Sequence, residues 1–170
     1  MSSSDAVGRL NVRGVARVHL AATWFMVGLI WTIHTVHYPL FAEVGTATYE
    51  AFQAAHVDRI GKLLLLPWLT EGTTLLFLLW FAFPGGRRDL RAPVAIGAVA
   101  MALVLVISGF WSAPAHGELA DGFDAAVHGR LMTANLVRTL AWTVRGLSAA
   151  WIVVVLWPRG SRRIDTGPGA

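Results

Sequence analysis

Two imidazoles stand three residues apart in an otherwise apolar stretch, IWTIHTVHYPLF, residues 30–41. On a helix, His34 and His37 at i, i+3 occupy neighbouring positions of one face. Imidazole is the commonest metal ligand and also shuttles protons. Five histidines (His34, His37, His56, His116 and His128) fall near one end of the apolar segments, and His19 falls near the other. Facing helices build cofactor sites from such side chains. A convergence of His34, His37, His56 and His128 would hold zinc, copper or iron, and His34 and His56 are the candidates to ligate a haem. The plainer reading is that these are interfacial or hydrogen-bonding histidines. HxxH is a common spacing, HExxH is absent, and His116 and His19 are the weakest candidates.

A second constellation is ionic. Glu71, Arg138 and Arg145 lie inside apolar runs, where an ionisable group costs about 2.5–3.5 kcal/mol or more. At about 1.5 Å per residue, Glu71 is roughly 16 Å into its span, Arg138 roughly 10 Å and Arg145 roughly 21 Å. Seven residues apart, the two arginines share one helix face. A buried Arg–Glu–Arg triad clipping the second span to the fourth is the structural expectation. It leaves one cation uncompensated, to be answered by an anionic ligand, a polarised carbonyl such as a quinone, or water. Glu71, Arg138 and Arg145 are therefore the catalytic candidates. Pro67 is expected to kink the helix just above Glu71. Asn135, Thr139 and Thr143 add polar atoms, and Trp24 and Trp31, one heptad apart, offer a stacking surface for a flat ligand.

The elements that must position these groups are membrane spans. The chain is 55% hydrophobic and 14% charged, against about 25% charged in soluble domains, and its mean hydropathy is +0.57. A span needs roughly 20 apolar residues. Four runs qualify, at about 18–41, 60–83, 92–114 and 131–157. They predict an all-α, four-transmembrane-helix bundle over residues 14–158, between a disordered tail at 1–13 and a flexible basic tail at 159–170. The amphipathic stretch 42–59 is expected to lie at the interface on Tyr49 and Phe52.

Net charge +4 does not indicate nucleic acid, because the basic residues flank spans and form no aromatic-interleaved stripe. With no cysteine, disulfides, thiolate metal sites and cysteine nucleophiles are excluded. The first apolar run has no cleavage signature and is expected to remain as an anchor. Nine arginines (Arg9, Arg13, Arg17, Arg87, Arg88, Arg91, Arg159, Arg162 and Arg163) flank one side, against Arg59, Lys62 and Arg130 on the other. The positive-inside rule then puts both termini in the cytoplasm of an inner, plasma-membrane protein. FQAAHVDRI (52–60) and FDAAVHGRL (123–131) resemble each other. They suggest two duplicated helical hairpins, with His56 and His128 opposed by pseudo-symmetry.

At WFMVGLIWTIHTVHYPLF and FQAAHVDRIGKLLLLPWLTEG the chain resembles small bacterial four-helix membrane proteins of unassigned function. More remotely it resembles the anthrone-oxygenase-type membrane family, whose members oxidise polycyclic phenols without a known metal. The resemblance covers about the first half of the chain and carries over no catalytic residue. The expected function is a bilayer-embedded polar pocket, opening outward, that binds or performs redox chemistry on a small lipophilic or anionic ligand. His34 or His56 would be ligand or base, and an arginine would stabilise negative charge. The alternatives are a non-enzymatic accessory subunit, in a homo- or hetero-oligomer through the GAVAMA face of the third span, or a small transporter.

Overall fold

The computed structural model describes residues 3–157, with side chains from Val12 onward. The described chain is helical throughout. Its long helices are α1 (Ser3–Thr32), α2 (Thr46–Ala82), α3 (Arg91–Ile107) and α5 (Ala125–Leu156), with a short α4 (Ala113–Leu119) before α5. Four helical stretches are long and apolar enough to cross a membrane: Val12–Glu43, Thr46–Ala82, Arg88–Leu119 and Ala125–Leu156. A bilayer core leaves no water for backbone groups, so uninterrupted helix is the stable form of such segments.

The boundaries depart from the sequence reading in two places. The polar run expected as a tail instead carries α1 back to Ser3, while the basic tail at 159–170 lies outside the described residues. The interfacial stretch is not a separate element, because α2 begins at Thr46 and runs unbroken through Pro67. At 37 residues it is about 55 Å long, well beyond a hydrocarbon core of roughly 30 Å. Its first turns therefore project past the apolar span while continuing the same inward face. Tyr49, Gln53 and His56, spaced i, i+4, i+7, are buried against the bundle, and Phe52 is half-buried.

Each half of the chain also contains a wide helical turn that no spacing rule announces. α1 passes into a π-helical segment, Ile33–His37, followed by a 3-10 turn, Pro39–Glu43. α3 passes into a second π-helical segment, Ser108–Ser112, followed by α4. In a π turn the hydrogen bond spans five residues, as Tyr38 N–H does to the Ile33 carbonyl at 2.9 Å. Each residue advances less around the axis than in an α-helix, so side chains beyond the segment are re-aimed.

α5 packs against α3 and α1, α1 against α2, and α2 against α3. α2 and α5 therefore face one another across the bundle. α5 is the most enclosed, with 50% of its spanning window buried against 22–33% for the others. The α3–α5 approach depends on Gly97, where a Cβ would come within 2.9 Å of the Ser148 hydroxyl. That hydroxyl donates to the Pro93 carbonyl. At the connection between α2 and α3, Gly86 takes φ +74°. Arg91 Nε donates to the Ala82 carbonyl there at 3.1 Å, satisfying one of the orphan acceptors at the end of α2.

The interior is layered. One apolar cluster (Leu78, Leu90, Val94, Ile152 and neighbours) fills the His19 end, and another (Phe41, Tyr49, Leu119, Leu131 and neighbours) fills the histidine end. Between them lies a third, built on Met26, Ile30, Val104 and Trp142. Polar side chains occupy the two gaps.

Candidate functional site

The gap at the histidine end is framed by the two π segments and the first turns of α2. Phe41, with no exposed surface, is its hub. Its ring centroid lies 5.0 Å from His56, 5.4 Å from His37, 5.1 Å from Tyr38 and 6.2 Å from His128. Around it the polar atoms pair off. His37 Nε2 and His56 Nδ1 are 2.9 Å apart. The Tyr38 hydroxyl is 2.8 Å from His116 Nε2, and Gln53 Nε2 is 2.9 Å from His116 Nδ1. The His56 and His116 rings, 5.2 Å apart, join the two pairs into one network.

The network opens through a cleft of about 260 Å³ between the end of α1 and the start of α2. Phe52, Ile60 and Leu63 give it apolar walls, and His37, His56 and Arg59 give it a polar edge. His56 is buried, and its Nε2 has no hydrogen-bond partner in the protein.

The sequence candidates divide. His37 and His56 come together. His34 does not join them: it lies edge-on to Trp31 at 6.5 Å, and its buried Nδ1 is unpartnered. The physical reason is the π turn, in which three residues no longer complete most of a revolution. His128 is not opposed to His56 either. Its Nε2 is 2.8 Å from the Tyr38 carbonyl, for which it is the donor. When FQAAHVDRI is laid on FDAAVHGRL, Val127 takes the place of His56 and the imidazole moves one position on, about 100° around the helix.

Among the described residues, no group of three or more histidines and carboxylates is arranged to hold a metal ion. The 2.9 Å separation of the His37 and His56 nitrogens is a hydrogen-bond spacing. A tetrahedral metal about 2.0–2.1 Å from each nitrogen would set the two roughly 3.3–3.4 Å apart.

The other polar gap, toward the His19 end, holds Glu71 and Arg145. Their exposures are 0% and 1%, and Arg145 Nη2 donates to Glu71 Oε1 at 3.2 Å across the bundle. Arg145 Nη1 donates to the Gly97 carbonyl at 2.9 Å, and the guanidinium lies 4.9 Å from the Trp142 ring centroid. Thr23 borders the Glu71 carboxylate, and His19 Nδ1 lies 2.8 Å from the Thr74 hydroxyl.

The expected triad does not form. Arg138, 8% exposed, turns to the histidine end, where Nη1 donates to the Ser112 hydroxyl at 3.3 Å. It lies beside Tyr38 and His116. Two helical turns separate the arginines, and the Trp142 layer stands between them, so one carboxylate serves only Arg145.

Trp24 and Trp31 do not form an internal stacking platform. Both are exposed, and Trp31 Nε1 donates to the Thr143 hydroxyl at 3.1 Å. Spacing and polarity in the sequence do not single out Tyr38, Gln53 or Ser112, and they rank His116 too low. The signal for Gln53 was the Tyr49–Gln53–His56 face. Nothing comparable marks Tyr38 or His116, which the π segments and α4 bring inward. Compared with protein-family models, curated proteins and solved structures, the chain matches none.

Proposed function

We propose that this is a multi-pass inner-membrane protein that binds a small lipophilic ligand through a polar or anionic head at the histidine-end cleft. The carrying observation is the pairing of apolar walls with one buried, unpartnered imidazole nitrogen, His56 Nε2. Ligand sites are mostly apolar, with a few fixed polar groups that set orientation. A hydroxyl or carbonyl head would hydrogen-bond to His56, while Arg59 at the rim favours an anionic one. A phenolic head would donate a hydrogen bond to His56 Nε2, the other nitrogen of that ring being engaged by His37. The imidazoles suit this role better than that of a resident metal or haem, because His37, His56 and His116 are held in hydrogen bonds and do not converge on one point.

The cleft opens outward in this reading, with both termini cytoplasmic. The arginine asymmetry supports that orientation, and Trp80, Trp111 and Trp157, exposed near span ends, support the span boundaries. Duplication of a two-span hairpin is supported by the matching order of long helix, π segment, short helical turn and long helix in each half. Reporter fusions that place either terminus outside would overturn the topology.

The binding test uses purified protein in lipid nanodiscs titrated with a decyl-substituted benzoquinone, followed by tryptophan quenching. Saturable binding of one ligand per protein is expected, weakened about tenfold in His56→Phe, as for loss of a buried hydrogen bond. Absence of saturation, or equal affinity in the variant, would refute the proposal.

One observation favours a second reading, an accessory subunit. Ala95, Val99, Leu103, Val137, Leu140 and Val144 line a lipid-facing groove between α3 and α5, a surface on which another transmembrane helix can pack. Cross-linking from Val99→Cys in native membranes would reveal such a neighbour. A transporter has less support, because the Met26–Ile30–Val104–Trp142 layer separates the two polar gaps.

A further inference from the structure

The cation on α5 that lacks a counter-charge marks a second site. Arg138 does not line the cleft. Its guanidinium is buried, Nε has no partner, and its one hydrogen bond is to Ser112. Among the described residues, the carboxylates in ion pairs are Asp58, Asp89, Glu118 and Glu71, and none of them is paired with Arg138. Arginine does not neutralise itself by losing a proton. Water would satisfy its N–H groups but would leave the charge uncompensated in a low-dielectric interior.

The surroundings are built of the same material. Asn135, one turn away on the same face of α5, has no exposed surface, and neither its side-chain nitrogen nor its oxygen has a partner. Buried polar groups without partners are few in folded proteins and call for an explanation. The Ser108 hydroxyl, on the π segment that also carries Ser112, is likewise buried and unpartnered. The Tyr38 hydroxyl adjoins from α1's extension. A guanidinium fork, an amide N–H₂ and serine and tyrosine hydroxyls are donors suited to two oxygens that carry one negative charge.

We propose that Arg138, Asn135, Ser112 and Tyr38 form a buried receptor for a carboxylate. The planar guanidinium accepts such a group side by side, and the amide and hydroxyls complete its remaining lone pairs. The site goes beyond the cleft reading and does not depend on it. The cleft uses imidazoles between α1 and α2, whereas this receptor lies between α5 and the α3 π segment, with Tyr38, whose hydroxyl also meets His116 Nε2, at its edge. Two sources supply this chemistry, a free small acid and the head of a fatty acid, and chain length separates them.

The test measures thermal unfolding of the nanodisc-embedded protein by tryptophan fluorescence, at constant ionic strength, against sodium formate and sodium hexanoate. No quinone is present, so failure of the cleft proposal does not affect the result. The expected outcome is a saturable rise in unfolding temperature with at least one of the two acids, absent with sodium chloride at the same ionic strength. Formate acting at least as well as hexanoate identifies a free small acid, and a preference for hexanoate identifies a fatty-acid head. Arg138→Gln should raise the half-saturating concentration at least about tenfold, the value of a charged hydrogen bond, and Arg130→Gln on the exposed face should leave it unchanged. Should Arg138→Gln fail to fold, Asn135→Ala takes its place, with a rise of about threefold or more. A temperature unmoved by both acids, or moved equally in wild type and variants, would overturn the proposal.

Discussion

The two arginines of α5 are a natural controlled comparison. They lie seven residues apart, on one face of one helix, and both are withdrawn from the surface. Arg145 meets a carboxylate, a backbone carbonyl and an indole face. Arg138 meets the Ser112 hydroxyl, with Tyr38 and His116 beside it and no carboxylate in an ion pair with it. The first region holds a charge-compensated ion pair that joins α2 to α5. The second, with the adjoining histidine network, is the region proposed to bind. Both arginines leave Nε without a partner, and Glu71 Oε2 has none either. Burial of a charge alone therefore does not distinguish a structural clip from a binding group; the presence of a counter-charge does.

Breaking the ion-paired region should have the largest effect. Glu71→Leu leaves Arg145 buried without its counter-charge and should cost about 3–5 kcal/mol of stability, read as a lowered midpoint in denaturant titrations of detergent-solubilised protein. Adding Arg145→Met to the same chain should recover most of that loss, since replacing both partners of a buried pair by apolar groups is often neutral. A double variant as unstable as the single one would show that Glu71 matters through something other than Arg145. Next in size, Gly97→Val forces a side chain against Ser148 and the Arg145-bonded backbone and should cost about 1–3 kcal/mol through overpacking. Gly28→Ala, with open space around it, is the control for helix propensity.

The histidine end should respond more weakly. His37→Phe removes the bond to His56 while retaining ring packing against Phe41, and the expected loss is about 1 kcal/mol. If that region were an interlocked structural core, the loss would match that of Glu71→Leu. Smallest of all, Trp31→Phe gives up a partly exposed hydrogen bond to Thr143 and should move the midpoint by no more than about 0.5 kcal/mol.

The four spans were legible because lipid imposes length and hydropathy on the chain, and Glu71, Arg138 and Arg145 were legible because charge inside such runs is rare. Their pairing was not. Depth along separate helices gave Glu71 a place between the arginines, but the partner is set by how the helices are offset and rotated against one another. The histidines failed for a related reason. A spacing of i, i+3 implies a shared face only where the helix is an α-helix, and the π turn at Ile33–His37 sends His37 to His56 and His34 to Trp31. Likewise, one exchanged pair of letters, HV against VH, turned the expected partner of His56 into Val127. In the 42–59 stretch the amphipathic face reads as an interfacial one, but α2 runs through it from Thr46 and turns Tyr49 into the bundle.

The most direct measurement compares Arg145→Met with Arg138→Met in one denaturant series, without added acids. Arg145→Met strands Glu71 and should lose about 3–5 kcal/mol, whereas Arg138→Met removes a charge that no side chain answers and should leave stability unchanged or raise it. Equal, large losses in both variants would contradict the division between a charge-compensated structural pair and an uncompensated receptor.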